Sequence, residues 1–406
     1  MYERIWEADK DLIILDHHIP VDKIRNRSNL LNLVSSAIDY GNPHLSGSGV
    51  TWKFVNYIDS VIGTNYAIDL IDLAAVGIVA DVCSVGVDSL ENRELCDLGF
   101  KHVVNEGLRA VIGSEEMTSD SISYSIAPLV NAANRMNKNE LALSLFLCDN
   151  PTQAKKIVKE LTKIKDEQKA LANSLFENFE NMIETQKDNR CYYFMIDDTY
   201  GTLGGLLATR ASDKWKRPCI VIHDTDKGYA GSMRATGVED FRAIVNSSGM
   251  AECQGHENSA GIVIAKDTFN EFTQYIEAEL SKLVEFNTDT QVDVYIDRMQ
   301  ITPFLIQKIK QINRISGQGF PPITFLIENV RKYTVKRMSQ GKHLCVEVPD
   351  MKFLSWNFND WDNVVEDGKL SGIGTLDESF FAGKRSIQMI LSDYIFELEP
   401  KECVLW

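Results

Sequence analysis

The sequence Leu12-Ile13-Ile14-Leu15-Asp16-His17-His18 joins a short apolar run to one carboxylate and two imidazoles. Four apolar residues with a β-branched pair among them predict a short buried strand. Open α/β sheets bind ligands beyond the carboxyl ends of their strands, so we expect these polar side chains at such an edge. Carboxylate and imidazole together suit Mn²⁺, Fe²⁺ or Zn²⁺ and form water-activating sites in hydrolases. A polar surface turn without a ligand is the alternative interpretation.

The overall composition is that of a multidomain globular protein. A chain of 406 residues is expected to form roughly two to four domains, and its charged (25%) and hydrophobic (44%) fractions are ordinary. No apolar run is long enough for a membrane span, and the N-terminus has no apolar signal core. Eight cysteines without a Cys-x-x-Cys pair argue against a zinc knuckle and predict reduced thiols in the cytoplasm.

The charge balance restricts nucleic-acid binding to part of the surface. A net charge of −16 weighs against binding nucleic acid over the whole molecule. Any such contact is therefore expected in a local groove.

Two further segments of the N-terminal part carry candidate ligand groups. A Ser/Gly-rich turn at 45–50 precedes an apolar helix, where free backbone N–H groups either cradle a phosphate or form an ordinary helix cap. The apolar run at 73–80 ends at Asp81, and a carboxylate that closes a buried segment is costly unless it is paired or bound to metal. Beside Asp16 and His17, a metal ligand is favoured over a structural aspartate.

The middle of the chain predicts helices and then a second α/β domain. One helix is expected over 91–112, a polar-tipped turn over 126–136, and a long connector helix that begins at Asn150-Pro151 and runs to Asp188. Strands are expected at 191–196, 218–222, 229–235 and 262–264, with a helix entered at Gly204. His256 lies among glycines and is either structural or, with Arg234, part of an anion pocket.

The last part of the chain changes character. Short β-like segments between Gly- and Lys-rich turns predict a small closed barrel. Its segment 331–337 includes Lys336 and Arg337 and has no acidic residue. Four aromatic side chains are expected to stack on nucleotides, which predicts a groove for single-stranded nucleic acid: Tyr333, Trp356, Phe358 and Trp361. A solvated hairpin with core aromatics is the alternative.

Five motifs together resemble the DHH-family phosphoesterases, and within them the RecJ-like branch. They occur in the family's order, at 16–18, 81, 131–136, 231–234 and 255–261, and the similarity extends from about residue 8 to 395. This resemblance implies an α/β fold in which a partial DHH domain with a parallel sheet is followed by a connector helix, a DHH-associated α/β domain and a C-terminal OB-fold β-barrel. The expected bounds are 1–150, 151–190, 191–286 and 287–406.

The resemblance also implies roles for individual residues. Asp16, His17 and Asp81 would hold Mn²⁺ or Mg²⁺ in a two-metal site, and His18 would act with Asp16 between the metals and the scissile phosphate. Five residues would contact the substrate, namely Asn131, Arg135, Ser232, Arg234 and His256. The basic segment of the predicted barrel adds Lys336 and Arg337 as substrate contacts on the sequence pattern alone. The implied reaction is metal-dependent hydrolysis of single-stranded DNA from its 5′ end, in DNA repair, recombination or replication, with a single-strand-binding protein as a further partner.

The sequence departs from the family pattern ahead of Asp16. The family places two aspartate motifs before Asp-His-His, whereas 15 residues precede Asp16 here, and position 134 is Asn where Gly is usual. We therefore expect an incomplete two-metal site and an N-terminal fragment supplied in trans as a partner. The alternative functions are a non-catalytic nucleic-acid-binding or scaffold protein and a phosphatase for short oligonucleotides.

Overall fold

The structure is a computed structural model that describes residues 13–18, 32–35, 40–226, 228–283, 291–381 and 384–398. Its contacts divide the chain into two compact units, residues 1–127 together with 290–406, and residues 128–289. The long helix that begins at Pro151 lies wholly within the second unit. Of the helices in the described ranges, none combines the length and the apolar character that a bilayer crossing requires.

The predicted first strand is present but is less buried than expected. Strand β1 (Ile13–Asp16) pairs in parallel with β2 (Asn32–Ser35), so that Asp16 lies opposite Ser35. Leu12 lies outside the described residues. Ile13 is 54% exposed, because in the described part of the chain β1 has a single neighbouring strand and one covering helix. The expectation of a fully buried strand is therefore wrong.

Four helices follow in the first unit: α1 (Gly47–Ile62), α2 (Ile71–Ala80), α3 (Leu90–Lys101) and α4 (Glu106–Ile112). The Ser/Gly turn is a helix cap, since Ser46 Oγ accepts a hydrogen bond from the Gly49 N–H at 3.1 Å. Helices α1 and α2 pack closely at Gly77, where a Cβ atom would lie 1.9 Å from Ser48 Oγ. The single helix predicted over 91–112 is wrong, because Asn105 caps a new helix by accepting from the Leu108 N–H.

The second unit begins with helices α5 (Ala127–Arg135), α6 (Asn139–Phe146) and α7 (Pro151–Ile183). The segment 126–136 is thus mainly helix. The turn predicted there is wrong, whereas the helix that the turn was predicted to enter is present and already begins at Ala127. Asn150 caps α7 by accepting from the Thr152 and Gln153 N–H groups, as its sequence indicates. Its 33 residues span about 50 Å, and its last turns pack Phe176 and Phe179 into the core of this unit.

A five-stranded sheet forms the rest of the second unit. Its elements are β3 (Tyr192–Ile196), α8 (Gly204–Trp215), β4 (Cys219–Thr225), β5 (Gly228–Arg234), α9 (Phe241–Ser247), β6 (Ala251–His256), β7 (Ser259–Ile264) and α10 (Phe269–Ser281). The order is β3-β4-β5-β7-β6, with only β3–β4 parallel. The predicted strands are confirmed. His256 ends a hairpin strand that the sequence analysis did not predict.

The chain then returns to the first unit with a second sheet. Its elements are β8 (Val294–Tyr295), α11 (Pro303–Asn313), β9 (Phe325–Val330), β10 (Thr334–Met338), β11 (His343–Val348), β12 (Met351–Ser355), β13 (Gly368–Phe381) and β14 (Lys384–Leu398). The order is β10-β11-β12-β14-β13-β9-β8 around a core that includes Phe325, Phe353 and Met389. The predicted α/β class with a β-rich C-terminal domain is confirmed.

Candidate metal centre and anion pocket

The carboxyl end of β1 presents Asp16 and both histidines as one hydrogen-bonded group. Asp16 Oδ1 accepts from the His17 N–H at 2.7 Å and lies 2.8 Å from His18 Nδ1. Burial opposes ionisation of Asp16, but the hydrogen bonds from the His18 side chain and from the two backbone N–H groups outweigh it and lower its pKa. Asp16 is therefore an ionised carboxylate at neutral pH, as a metal ligand must be.

The tertiary fold brings Asp81 to the same edge. Asp81 closes the C-terminus of α2, where its N–H donates to the Gly77 carbonyl, and its Oδ2 lies 3.2 Å from His17 Nε2. The expectation of a buried aspartate is wrong, since its side chain is 52% exposed. An exposed carboxylate keeps its hydration, so proximity to His17, and not a desolvation cost, supports its predicted role as a ligand.

Cys83 is a candidate ligand that the sequence analysis missed. Its Sγ lies 4.0 Å from Asp81 Oδ2, and the donor atoms of His17, Asp81 and Cys83 all lie within 4.8 Å of one another. Burial, followed by the Asp81 charge, raises the pKa of the Cys83 thiol to about 12. The spacing Asp-x-Cys was the available signal, because it places two donors at the end of one helix.

The donor chemistry of this edge distinguishes between metals. The imidazole of His17 with the carboxylates of Asp16 and Asp81 suits Mn²⁺, and the carboxylates suit Mg²⁺. These nitrogen and oxygen donors therefore fit the ions that the sequence analysis predicted. A thiol suits neither ion.

The residues predicted to form an anion pocket, Ser232 and Arg234, lie on one face of the sheet in the second unit. Ser232 and Arg234 are two residues apart on β5, so their side chains share this face. Helix α8 begins at the same place, directly after a 3-10 turn at Asp198–Leu203, and a Cβ atom on Gly205 would lie 3.2 Å from Arg234 Nη2 and 3.5 Å from Ser232 Oγ. Glycine at this position leaves the Arg234 guanidinium where it is, whereas a larger residue would displace it by a few tenths of an ångström.

Arg135 contributes a second cation to the pocket. The Thr202 hydroxyl, which lies just before α8, donates to the Arg135 carbonyl at 2.8 Å and ties the end of α5 to this region. Burial lowers the pKa of Arg234, and the Arg135 charge lowers it further; burial alone lowers that of Arg135. Among the described residues, neither guanidinium forms an ion pair with a carboxylate. Two half-buried cations without an acidic partner favour an anionic ligand.

The other substrate residues predicted in this unit are exposed. Asn131 precedes Arg135 by four residues and so lies on the same face of α5. The register places Arg234, Ser259 and His256 in one row across β5, β7 and β6. His256 therefore shares the face of Arg234 but lies about two strand spacings away, roughly 10 Å.

The basic edge of the C-terminal sheet differs from its prediction. Lys336 pairs with Glu347, which Lys352 also approaches at 3.3 Å, and Arg337 lies over the Trp361 ring at 4.2 Å. Trp356 is 51% exposed and available for stacking. The expectation that Tyr333 and Phe358 stack on nucleotides is wrong, because both belong to the sheet's core. Trp361 is half-buried and already covered by Arg337.

Comparison with known proteins agrees with this geometry. Residues 292–393 match the RecJ OB domain family. The chain is 23% identical to the single-stranded-DNA-specific exonuclease RecJ of Bacillus subtilis, covering 95% of this chain and 51% of that protein. It is 24% identical to RecJ of Thermus thermophilus, covering 88% and 52% respectively. The crystal structure of RecJ in complex with Mn²⁺ from Thermus thermophilus superposes with a TM-score of 0.77 at 21% identity, over 97% of this chain and 59% of that one.

The chain is an α/β protein whose fold resembles that of the RecJ crystal structure and whose β-rich C-terminal region matches the RecJ OB domain. In sequence and in fold the chain is RecJ-like. It spans about half the length of the two RecJ proteins named above. The predicted domain bounds and the roles of individual residues stay predictions.

Proposed function

We propose that this chain takes part in RecJ-type 5′→3′ exonuclease action on single-stranded DNA, by metal-dependent phosphodiester hydrolysis in DNA repair, recombination or replication. The observation that carries the proposal is the anion pocket of the second unit. Arg135 and Arg234 lie there without acidic partners among the described residues, next to Ser232. Guanidinium and hydroxyl groups both bind phosphate oxygens, so this arrangement favours a phosphate ligand.

A terminal phosphate suits this pocket better than an internal one. A terminal phosphate carries up to two charges and three free oxygens, which matches two guanidinium groups and a hydroxyl. The half-buried positions of Arg135 and Arg234 strengthen these interactions by excluding water. His256 and Asn131 lie farther out and are placed to contact the nucleotides that follow.

In the proposed reaction, Asp16, His17 and Asp81 hold the cation. When bound, Mn²⁺ or Mg²⁺ supplies an activated water and offsets the charge that builds on the phosphate oxygens. Asp16 orients His17 and His18 through their backbone N–H groups and holds the His18 ring through Nδ1. This contact turns the Nδ1 side of the His18 ring toward the Asp16 carboxylate.

The OB domain supplies the remaining contacts with single-stranded DNA. We propose that Trp356 stacks on a base and that Arg337, held flat over Trp361, contacts the backbone. Lys336 contributes less, because Glu347 neutralises it. Each cysteine in the described ranges is a free thiol, which supports a reducing, cytoplasm-like compartment for this activity.

Matched oligonucleotides test the proposal. Single strands of one sequence, with a 5′-phosphate or a 5′-hydroxyl, are incubated with the chain and Mn²⁺. We expect tighter binding of the phosphorylated strand by the chain alone. Release of nucleotides from the 5′ end is expected when a fragment carrying the two further aspartate motifs is added in trans, and Asp81→Asn should lose this release but not the binding. Equal binding of the two strands, or release from the 3′ end, would contradict it.

The same assay separates the alternative function. A chain that binds the phosphorylated strand tightly but releases nothing with any divalent metal would be a non-catalytic nucleic-acid-binding protein. Asp81 lies in the first unit and Arg234 in the second. An Asp81 variant is expected to change hydrolysis, and an Arg234 variant to change binding, so the two processes can be measured separately.

A further inference from the structure

We propose that His17, Asp81 and Cys83 form a binding site for a soft divalent cation of the Zn²⁺ type. The inference extends the proposed metal centre and rests on His17 and Asp81 as ligands, but it requires no nucleic acid. The proposal is based on the position of the Cys83 thiol, which lies beside the His17 imidazole and the Asp81 carboxylate. One nitrogen, one oxygen and one sulfur donor are a ligand set that suits Zn²⁺ and excludes Mg²⁺.

The distances between donor atoms agree with a tetrahedral ion. Zn²⁺ bonds of about 2.0–2.3 Å at tetrahedral angles place nitrogen and oxygen donors roughly 3.4 Å apart, and sulfur and oxygen donors roughly 3.6 Å apart. The observed separations are 3.2 Å for His17 Nε2 to Asp81 Oδ2 and 4.0 Å for Cys83 Sγ to Asp81 Oδ2. Each differs from the ideal edge by less than half an ångström, which a change of side-chain rotamer can supply.

The backbone holds Cys83 in this position. The Cys83 N–H donates to the Ile78 carbonyl at 3.0 Å, and Val82 between the two ligands takes a left-handed conformation with φ of 54°. A β-branched residue seldom adopts that conformation, so the surrounding structure must hold this turn. Farther along, the Val85 N–H donates to the Gln318 carbonyl at 2.8 Å. The loop after α2 is thus anchored on both sides of the thiol.

The site has an open fourth position and shares ligands with the proposed centre. Three protein donors leave one tetrahedral position for water, and the Asp81 side chain is half-exposed to solvent. Because His17 and Asp81 serve both ions, Zn²⁺ would compete with Mn²⁺. Cys83 therefore gives the centre a preference for a soft ion, and Zn²⁺ would antagonise a Mn²⁺-dependent reaction.

Cobalt absorption tests the assignment on the full chain without DNA. Co²⁺ replaces Zn²⁺ in such sites, and a bound thiolate produces a charge-transfer band in the near ultraviolet. We expect the wild-type chain to show this band, Zn²⁺ to abolish it, and excess Mg²⁺ to leave it unchanged. Cys83→Ala should lose the band and weaken Zn²⁺ binding by at least about 100-fold, because loss of a direct ligand should cost no less than loss of an outer-shell partner, which costs up to about 100-fold.

Two further variants complete the experiment. Cys148→Ala removes another half-exposed thiol, in the second unit, and should keep the band. Asp81→Asn changes an exposed side chain, so folding is expected to survive, and it should weaken Zn²⁺ binding. A wild-type chain without the band, a band that survives Cys83→Ala, or Zn²⁺ affinity unchanged in Asp81→Asn would overturn the proposal. Failure of the exonuclease assay leaves these spectra unaffected, so the two proposals are tested separately.

Discussion

The anion pocket of the second unit and the basic edge of the OB domain use similar residues in opposite ways. In the pocket, Arg135 and Arg234 are half-buried and meet no carboxylate in the described part of the chain. At the OB edge, Lys336 and Lys352 share Glu347, and Arg337 covers Trp361. The number of basic residues is therefore a poor guide to which surface binds an anion.

The two regions differ in the free energy that each cation gains when it binds an anion. A half-buried guanidinium has already lost part of its hydration, so an anionic ligand regains an interaction that folding removed. An exposed lysine in an ion pair must first leave its carboxylate, and exposed pairs contribute little. We therefore expect affinity for a terminal phosphate to depend on the pocket, and the OB edge to add weaker, salt-dependent binding.

The largest expected effect is that of Arg234→Ala. This substitution should weaken binding of a 5′-phosphorylated single strand by about 2–4 kcal/mol, through loss of a charge-assisted phosphate contact. Fluorescence anisotropy measures the change, and Arg210→Ala, which removes a cation that contacts Asn173 and Phe176, is the matched control. If the two variants bind equally well, the pocket is not the phosphate site.

Gly205→Ala should separate binding from stability. The new methyl group would lie 3.2 Å from Arg234 Nη2, so the guanidinium must shift and phosphate binding should weaken by about 1 kcal/mol. Thermal unfolding should be unchanged or improved, because alanine favours a helix over glycine by up to about 1 kcal/mol. Gly204→Ala is the control, since its methyl group would lie 3.7 Å from Ser232 Oγ and farther from the pocket's cation. Equal losses in both variants would point to a general disturbance of α8.

Glu347→Gln should leave the lysines of the OB edge without a carboxylate partner, as the arginines of the pocket are. Removing the carboxylate releases Lys336 and Lys352, so affinity for single-stranded DNA should rise modestly. The log–log salt slope should steepen by about 0.7 for each additional phosphate contacted. Lys336→Ala alone should have little effect. A large loss in Lys336→Ala would show that this lysine contacts DNA despite its pairing.

The smallest expected effect concerns acid stability. The hydrogen bond from Lys336 lowers the pKa of Glu347 below its ordinary value of 4.5. A lowered folded-state pKa contributes stability above pH 4.5, and this contribution is lost as the pH falls through the folded-state value. Glu347→Gln should therefore be less stable than the wild type at neutral pH, with the difference shrinking below pH 4.5. Melting temperatures measured from pH 7 to pH 3 check this, and a constant difference would contradict it.

Local sequence signals predicted most elements of the fold. Asn150-Pro151 marked the start of the longest helix, and the apolar runs at 191–196 and 218–222 became neighbouring parallel strands. Two local predictions failed. Asn105 starts a new helix inside the single helix expected over 91–112. The strand that ends at His256, which pairs with the next strand in a hairpin, was not predicted.

The sequence by itself determined the types of chemical group present and their local frames. Asp16 and both histidines follow one strand, and Ser232 and Arg234 share one face of another, because strand periodicity is a property of the local backbone. Only the tertiary structure decided which distant groups meet. It brings His17 to Asp81 and Cys83, leaves Arg234 beside Arg135, and gives Lys336 to Glu347. These contacts join residues that are far apart in the sequence. They depend on how the helices and strands pack together, which local sequence patterns do not determine.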